Sequence, residues 1–288
     1  MATSNPRPPA SPVDLHVHST ASDGRLAPAA VIERAAGRGV ELMSLTDHDT
    51  LAGIAEAQSA AQRHGLRCLA GIELSARWAR GVVHIVGLGV DPANARLTAG
   101  VAAQQAERCR RAERIGTRLQ RAGFADIVER VNALVGAGVP GRAHFARALV
   151  AAGAAADMQA AFDRYLQRGR PGYVAVDWAG IEAVVAWIHA AGGVAVFAHP
   201  LRYRLSRGAL RAAIEAFVAA GGGAIEVSNG AGGRDDLLAA AALARRFGLR
   251  ASMGSDFHDP DFRWIEIGRL APLPADLAPV WQGLARSA

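Results

Sequence analysis

The segment Val13-Asp14-Leu15-His16-Val17-His18-Ser19 sets two histidines into an apolar run near the start of the chain. An apolar run of this length predicts a buried β-strand over residues 13–17. Side chains two residues apart project from the same face of a strand, so His16 and His18 should point to one side. Two imidazoles on one face at a strand end indicate a site for a divalent metal ion.

Similar polar runs lie at the other predicted strands. They add four histidines and three carboxylates to the first pair: Asp23, His48, Glu73, His84, His199, Asp256 and His258. Imidazole and carboxylate together suit borderline divalent ions such as Zn, Mn or Fe(II). We expect these runs at strand ends, where a closed β/α barrel would gather them at one mouth. A lone pair of histidines is often a chance occurrence, whereas this complete set predicts a metal centre.

Strand-like and helix-like segments alternate along most of the chain. The predicted strands are 13–17, 42–46, 67–74, 82–89, 194–198, 224–227 and 250–253. The predicted helices are 28–38, 53–64, 97–121, 181–191, 210–219 and 237–247. Such alternation predicts an α/β fold with a parallel sheet. Between about residues 95 and 166 only helical patterns occur, which indicates an inserted helical subdomain.

Composition excludes some classes of protein. The chain has 288 residues and is 51% hydrophobic, enough for a substantial core. No run of about eighteen apolar residues occurs, so a membrane span is not expected. Residues 1–12 are rich in Pro, Ser and Ala, lack the order of a signal peptide, and are predicted to be a disordered lead-in. Cys68 and Cys109 form no cysteine framework, which favours a reduced, cytoplasmic protein.

The cationic side chains are all arginine. The formal net charge is +6, and no lysine is present. A compositional bias toward Ala, Gly and Arg explains this most simply, but it has chemical consequences. Schiff-base catalysis through lysine is excluded, and a phosphate group would have to be bound by arginine, backbone N–H groups or metal. The planar guanidinium suits phosphate well.

The polar runs resemble the signature of the PHP family, named for polymerase and histidinol phosphatase domains. The resemblance covers residues 13–90 and about 170–260 and is carried by Asp14-Leu15-His16-Val17-His18-Ser19, Asp23-Gly24, Leu45-Thr46-Asp47-His48-Asp49, Glu73, His199-Pro200 and Gly254-Ser255-Asp256-Phe257-His258. It implies a distorted (βα)7 barrel, divided here into residues 13–98 and 169–288 by a small helical subdomain at 99–168. It also implies up to three divalent metals, with Mn²⁺ expected first and Fe²⁺, Zn²⁺ or Mg²⁺ as alternatives.

Carried over residue by residue, the resemblance implies three ion sites, with Glu73 bridging the first and the second. The implied ligands are His16, His18, Glu73 and Asp256 for the first ion, Glu73 with His84 and His199 for the second, and Asp23, His48 and His258 for the third. Some members have histidine in place of Asp23, and the change should favour Mn or Mg at the third site. Asp14 and Asp47 are expected to orient ligand imidazoles from behind. Glu226 is either such an orienting group or a buried ion-pair partner.

Within the family, the chain is most similar to the bacterial branch of stand-alone 3′,5′-nucleotide bisphosphate phosphatases and related 5′-to-3′ exoribonucleases. This narrower resemblance is carried by Gly141-Arg142-Ala143-His144-Phe145-Ala146-Arg147, Arg168-Gly169-Arg170-Pro171 and His199-Pro200-Leu201-Arg202-Tyr203. Relatives usually have proline in place of Ala143. The resemblance implies that Arg142, His144 and Arg170 bind the phosphate that is not cleaved. Arg202 and Tyr203 are expected to contact the base or sugar.

The predicted function is that of a phosphoric monoester hydrolase. It would convert nucleoside 3′,5′-bisphosphates such as pAp to the 5′-monophosphate through a hydroxide held between metals, with Glu73, His199 and Asp256 as the catalytic ligands. Trimming of short RNA from the 5′ end is a further expected activity. The alternatives are a histidinol-phosphate phosphatase, a proofreading-type 3′-to-5′ exonuclease and a non-catalytic metal- or nucleotide-binding protein. The expected partner is a small nucleotide, with no membrane and no obligate protein partner.

Overall fold

The computed structural model describes residues 11–79, 81–203 and 205–284. Most of the predicted lead-in at residues 1–12 therefore lies outside the described residues. Its last two residues are hydrogen-bonded: Ser11 Oγ donates to the Val13 carbonyl oxygen over 2.9 Å, and the Pro12 carbonyl oxygen accepts from the Leu42 N–H over 3.0 Å. The contact of Pro12 extends the pairing of the first strand to the residue before Val13.

Seven strands in the described residues pair in chain order and form a nearly closed barrel. They are β1 (Val13–Val17), β2 (Leu42–Leu45), β3 (Arg67–Trp78), β4 (Gly81–Leu88), β5 (Val194–Phe197), β6 (Ala224–Asn229) and β7 (Arg250–Gly254). The barrel closes just beyond β1 and β7. There the Asp256 N–H donates to the His16 carbonyl oxygen over 2.8 Å, and the His18 N–H donates to the Phe257 carbonyl oxygen over 3.0 Å. The predicted barrel with seven strands is confirmed.

The helices of the described residues surround the barrel or form the insertion. They are α1 (Pro28–Gly37), α2 (Ile54–His64), α3 (Ala95–Arg121), α4 (Ile127–Val135), α5 (Arg142–Ala151), α6 (Met158–Ala161), α7 (Ile181–Ala190), α8 (Arg207–Ala219) and α9 (Arg234–Phe247). Pro28 fits the first turn of α1, and Gly65 ends α2 in the left-handed conformation. None of these helices is both long enough and apolar enough to cross a membrane.

The direction of β4 differs from the prediction. β4 runs antiparallel to both β3 and β5, because β3 ends at Trp78 and β4 begins at Gly81, too close for a crossover connection. The prediction of a parallel sheet is therefore wrong at β4. Glu73 consequently lies within β3 rather than at its end, and His84 lies near the beginning of β4. That beginning faces the same mouth as the ends of the parallel strands, so His84 still reaches the predicted cluster.

The insertion has an apolar core of its own, which includes Phe145. Helix α3 joins this core to the barrel. Near its start, Leu97 and Val101 pack in the main core, whereas Ile115 and Leu119 pack with the other helices of the insertion. The predicted boundary between residues 98 and 99 therefore falls inside a continuous helix. A single helix thus fixes the position of the insertion relative to the barrel mouth.

Candidate metal centre

All nine predicted ligands meet at one mouth of the barrel. Their donor atoms form four overlapping groups in which every atom lies within 4.8 Å of the others: His18, Asp23, His48 and His258; His16, Glu73 and His199; His16, His18 and Asp256; His48, Glu73 and His84. Side chains that are far apart in sequence are brought together because they come from several strands and strand-end loops that meet at the mouth of the closed barrel.

Glu73 lies at the centre of this cluster and is fully buried. Its Oε1 is 2.9 Å from His84 Nδ1 and 3.0 Å from His199 Nε2. Its Oε2 is 3.3 Å from the Nε2 atoms of both His16 and His18. The two oxygens of one carboxylate thus face two different histidine pairs. This is the arrangement that a ligand shared between two metal ions requires.

Asp23 gathers a third set of imidazoles. Its Oδ1 lies 3.3 Å from His258 Nε2 and 3.9 Å from His18 Nδ1, and its Oδ2 lies 4.0 Å from His48 Nε2. His48 also faces Glu73, whose Oε2 is 2.8 Å from His48 Nδ1. His18 and His48 therefore each belong to two of the four overlapping ligand groups. The assignment of each histidine to one particular ion remains a prediction.

The backbone is strained where it delivers several of these side chains. His199 has φ +28°, and Asp256 has φ +55°. Asp49, which directly follows a predicted ligand, has φ +49°. Non-glycine residues in this left-handed region cost free energy and persist only where the surrounding structure holds them. Here the strained turns aim carboxylate and imidazole groups into the barrel mouth.

Opposite charges control the ionisation of the buried carboxylates. Burial by itself would raise the pKa of Glu73, but the neighbouring His48 and His84 imidazoles lower it well below its usual range. Burial lowers the pKa of His84 to about 4, although Glu73 acts in the opposite direction. The pKa of His18 rises to about 10, since Asp256 and Glu73 outweigh the effect of burial. Protons and metal cations therefore compete for the same donor atoms.

The donor set fits bound divalent cations. Within the described residues, four buried atoms of the cluster make no hydrogen bond: His18 Nδ1, His48 Nδ1, Glu73 Oε2 and His199 Nδ1. His48 Nδ1 and Glu73 Oε2 lie 2.8 Å apart but without the alignment of a hydrogen bond. Leaving a buried polar atom unpaired costs about 1–3 kcal/mol, so a group that pairs with such atoms stabilises the site. Nitrogen and oxygen donors in this combination suit Mn, Fe or Zn.

Glu226 orients one of the predicted ligands, which answers the question that the sequence left open. Its Oε2 lies 3.1 Å from His16 Nδ1 and accepts the backbone N–H of His199 over 2.9 Å. Its Oε1 accepts a hydrogen bond from Asn229 Nδ2 over 2.7 Å. A carboxylate behind a ligand imidazole fixes both the ring tautomer and the ring orientation. Glu226 therefore directs Nε2 of His16 toward the centre.

The roles predicted for Asp14 and Asp47 are wrong. In the described residues neither carboxylate contacts a ligand imidazole. Asp14 accepts backbone N–H groups from Ser255 over 2.8 Å and Gly268 over 2.9 Å. Asp47 accepts the N–H of Ser19 over 2.7 Å. Buried loops at strand ends leave backbone N–H groups without sheet partners, and these two carboxylates satisfy them.

A cluster of arginines borders the centre, and only one of its members was predicted. Arg108 and Arg111 project from α3, and Arg142 lies at the start of α5; we call these three residues the arginine cluster. Burial, Arg142 and Arg108 together lower the pKa of Arg111 to about 9. Burial and Arg108 lower the pKa of Arg142, whereas the nearby Asp23 raises it. The hydrogen bond from Arg108 to Asp49, the residue that directly follows His48, places the arginine cluster beside the metal centre.

Asp49 ties the arginine cluster to the barrel. Asp49 directly follows His48 and is fully buried. It accepts hydrogen bonds from Arg108 Nε over 2.6 Å and from the Ser75 N–H over 2.8 Å. Gln105 of α3 donates to its backbone carbonyl oxygen over 3.1 Å. These bonds fix α3 at a set distance from the loop that carries a predicted metal ligand.

The structure gives the other predicted substrate residues different surroundings. His144 is buried, and its Nδ1 lies 3.0 Å from the backbone N–H of Gly141, which leaves Nε2 for a ligand. Burial lowers the pKa of His144 and so favours the neutral ring. Arg170 is exposed in a turn of the insertion, and Arg202 is exposed on a short 3₁₀ helix beyond β5. Their predicted contacts with substrate remain predictions.

Tyr203 supports the centre in a way that its sequence position did not suggest. Its hydroxyl oxygen accepts the backbone N–H of His84 over 2.7 Å. Its ring centroid lies 5.2 Å from that of His199 and 5.9 Å from that of Phe197. The ring thus packs against two residues of the β5 region. Tyr203 thus packs against one predicted ligand and bonds to the strand that carries another, and its predicted contact with a base or sugar stays a prediction.

Comparisons with known proteins agree with this geometry. The family model described as PHP domain matches residues 14–192, more than half of the chain. The chain belongs to the PHP family. A 3′,5′-nucleoside bisphosphate phosphatase of Chromobacterium violaceum is 46% identical over 275 residues, which cover 94% of this chain and 96% of that protein. A 5′-3′ exoribonuclease of Haemophilus influenzae is 42% identical over 269 residues, or 93% of this chain and 97% of that protein.

A solved PHP relative has the same fold. It is described as an amidohydrolase from Chromobacterium violaceum with bound sulfate and no metal. It superposes with a TM-score of 0.91 at 45% identity, covering 95% of this chain and 96% of that one. Together with the ligand groups at the mouth, these matches identify the chain as a hydrolase of a family of metal-dependent phosphoesterases.

Proposed function

We propose that this protein hydrolyses the 3′-phosphate of nucleoside 3′,5′-bisphosphates such as pAp and releases the nucleoside 5′-monophosphate. One observation carries the proposal: an arginine cluster, bonded through Arg108 to Asp49, lies beside the nine-residue centre. The mouth therefore offers two adjacent places for anions. A substrate with two phosphates on one ribose can occupy both.

The metal centre would act on the phosphate that is cleaved. Divalent ions, with Mn²⁺ expected first, would be held by the nine clustered side chains and would supply a water of lowered pKa and neutralise charge on the phosphoryl oxygens. Glu73 lies between the His84–His199 pair and the His16–His18 pair, so it sets the spacing of the donor atoms. Glu226 keeps His16 in the tautomer that presents Nε2.

The arginine cluster would bind the 5′-phosphate, which is not cleaved. Desolvation and the neighbouring guanidinium groups lower the pKa values of Arg111, which is half-buried, and of Arg142, which keeps an exposed surface, and a phosphate dianion would remove that repulsion. Hydrogen bonds to charged groups contribute about 1.5–3 kcal/mol each. Nε2 of neutral His144 can add a further contact. The bound sulfate of the solved relative, a tetrahedral dianion like phosphate, supports anion binding in this fold.

The same cluster argues against the nearest enzymatic alternative. Histidinol phosphate carries a cationic amino alcohol, which Arg108, Arg111 and Arg142 would repel. A non-catalytic binding protein would not need nine convergent ligands around a buried bridging carboxylate. The names of the two sequence relatives, a bisphosphate phosphatase and an exoribonuclease, support a nucleotide substrate.

Three substrates test the proposal. Phosphate release by the purified protein reloaded with Mn²⁺ is measured on pAp, on adenosine 3′-monophosphate and on histidinol phosphate, with a chelator-treated sample as control. We expect kcat/KM for pAp to exceed that for adenosine 3′-monophosphate by roughly tenfold or more, since only pAp engages the arginine cluster. Equal or faster release from histidinol phosphate would overturn the proposal.

A further inference from the structure

The indole ring of Trp178 lies against two members of the arginine cluster. Trp178 precedes α7 and is only 3% exposed. The Cζ atom of Arg108 lies 5.3 Å from the ring centroid, and the Cζ atom of Arg111 lies 6.0 Å from it. Arg108 and Arg111 are three residues apart on α3, so both project from one side of the helix. Trp178 therefore meets two guanidinium groups at the distance of a cation–π contact.

Two positive charges held this close repel each other unless a negative surface compensates them. Arg108 has partners on the barrel, since Asp49 Oδ2 accepts from its Nε over 2.6 Å and Ser75 Oγ accepts from its Nη2 over 3.1 Å. Within the described residues, Nε of Arg111 is buried and makes no hydrogen bond. The negative face of the indole is a compensating surface that both guanidinium groups share.

The backbone around Trp178 is bonded to the barrel and to α3. The Trp178 carbonyl oxygen accepts a hydrogen bond from Arg77 Nε over 3.3 Å. The next residue, Ala179, donates its N–H to Gln104 Oε1 over 3.4 Å, and its carbonyl oxygen accepts the N–H of Arg77 over 2.8 Å. Gln104 also donates from Nε2 to the Ser75 carbonyl oxygen over 2.6 Å. The indole is therefore a fixed surface, and the arginines take their positions from it.

We propose that Trp178 is a positioning residue for the bound phosphate, because its indole face holds the guanidinium groups of Arg108 and Arg111 in place before a dianion arrives. This inference rests on the proposed function, since it concerns the 5′-phosphate that the arginine cluster would bind. Stacking uses the flat face of a guanidinium group, and hydrogen bonds to phosphate use its N–H edges. The two contacts do not compete, so a bound dianion leaves the stack intact.

This positioning should affect the binding of substrate rather than the chemical step. The cation–π contacts hold both arginines in the absence of an anion, so less side-chain entropy is lost when the 5′-phosphate binds. The phosphate that is cleaved would be bound elsewhere, at the metal centre. We therefore expect KM for pAp to depend on the indole and kcat to be independent of it.

Substitutions at Trp178 separate the aromatic face from simple bulk. Trp178→Leu keeps an apolar side chain and removes the π-system, whereas Trp178→Phe restores a smaller one. We expect Trp178→Leu to raise KM for pAp roughly tenfold, which corresponds to about 1.4 kcal/mol of lost binding. KM for adenosine 3′-monophosphate should change little, and Trp178→Phe should recover part of the loss. Trp264→Leu is the control, because Trp264 is 64% exposed, and it should change neither constant.

Fluorinated tryptophan distinguishes the cation–π contact from packing and keeps the buried ring in place. Fluorine withdraws electrons from the indole face and hardly changes the shape of the ring. Protein grown with 5-fluorotryptophan should show a roughly twofold rise in KM for pAp relative to unlabelled protein. Trp178→Phe labelled in the same way is the control, since it carries fluorine at every other tryptophan. Labelling should leave KM for pAp unchanged in that variant.

The same label reports binding without turnover. The fluorine NMR signal that is present in the labelled wild type and missing in labelled Trp178→Phe belongs to Trp178. It should shift when adenosine 5′-monophosphate is added to the protein loaded with diamagnetic Zn²⁺, and it should not shift with adenosine. The signal that labelled Trp264→Leu lacks should stay in place with both ligands.

Three outcomes would overturn this role of Trp178: Trp178→Leu changes KM for both substrates equally or for neither, fluorination leaves KM for pAp unchanged, or the Trp178 signal does not respond to adenosine 5′-monophosphate. A protein that does not hydrolyse pAp, but whose Trp178 signal shifts with adenosine 5′-monophosphate, would reject the bisphosphatase function and keep the role of Trp178. The two proposals can therefore fail separately.

Discussion

The metal centre and the arginine cluster are adjacent but are built in different ways. The centre is composed of side chains from barrel strands and their loops, and its carboxylates and imidazoles balance one another. The cluster is composed of arginines from the insertion, and Asp49 is the carboxylate bonded to it. Under the proposed function the difference would separate two tasks: the barrel would carry out the chemistry, and the insertion would select which phosphate ester reaches it. Changes in the two regions should therefore affect different kinetic constants.

The largest effect is expected in the centre, from Glu73→Gln. The amide keeps the shape but removes the charge that faces five histidines, so bound metal should fall. We expect pAp hydrolysis to drop by roughly 10³-fold, which corresponds to about 4 kcal/mol. Metal content by elemental analysis and phosphate release check the result. Glu182→Gln on the exposed face of α7 is the control. Full metal content with full activity in Glu73→Gln would refute the central position of this residue.

Removing a guanidinium group from the arginine cluster should weaken the binding of pAp. Arg111→Met keeps an unbranched, flexible side chain and removes the guanidinium group with its charge. We expect KM for pAp to rise roughly 10- to 100-fold, which corresponds to about 1.4–2.7 kcal/mol of lost binding. Hydrolysis of adenosine 3′-monophosphate should change little, because that substrate has no 5′-phosphate. Arg114→Met, on the exposed side of the same helix, is the matched control. Similar losses on both substrates would place Arg111 in the chemical step.

The hydrogen bond from Arg108 to Asp49, which joins the two regions, should affect the selectivity for pAp more than the rate of hydrolysis. Asp49→Asn weakens the contact with Arg108 and loosens the spacing between cluster and centre. We expect the preference for pAp over adenosine 3′-monophosphate to fall roughly tenfold, since about 1.4 kcal/mol of differential binding is lost. Metal content should stay at the wild-type level. A parallel loss of metal would show instead that Asp49 mainly positions His48.

An ion pair remote from both regions should give the smallest effect. Arg34 donates to both oxygens of Glu266 over 2.8 and 2.7 Å. Burial would raise the pKa of Glu266, but Arg34 lowers it below its ordinary value. The stability that this ion pair contributes is therefore present at neutral pH and is lost as the pH falls through the pKa of Glu266 in the folded state. Glu266→Gln should lower the free energy of unfolding by up to about 1 kcal/mol at pH 7.

Urea unfolding at pH 7 and at acidic pH checks this prediction. The difference between Glu266→Gln and the wild type should shrink toward acidic pH, because protonated Glu266 resembles the amide. Glu41→Gln on the exposed surface serves as control. A difference that grows toward acidic pH would contradict the assigned sign. Activity on pAp should be unaffected at pH 7, which separates stability from the functions of the two regions.

The metal centre could be predicted from the sequence because its ligands occur in short polar runs that interrupt apolar strands. The arginine cluster could not. Arginines such as Arg110, Arg114 and Arg118 are distributed around α3, and only the packing of the helix shows that Arg108 and Arg111 face the mouth. Helical periodicity alone does not indicate which face meets the substrate. Arg142 was predicted because it belongs to a motif matched as a unit.

The direction of β4 could have been predicted from the short spacing between two strands, but not from their hydrophobic pattern. An apolar run reads the same in both directions, so hydrophobicity alone could not show that β4 is antiparallel. The seven residues between the predicted strands at 67–74 and 82–89 are too few for a helical crossover, and this spacing indicates a hairpin. The roles of Asp14 and Asp47 depended on backbone N–H groups that no residue pattern shows.

The two hydrogen bonds that join the ends of β1 and β7 are made by the backbones of His16, His18, Asp256 and Phe257. Three of these residues are also candidate ligands, so cations at the mouth would fasten the first strand of the barrel to the last. Removing the cations would then do more than stop turnover, because it would release the joint that makes the sheet a barrel. A chelator should act on this enzyme as a mild denaturant as well as an inhibitor.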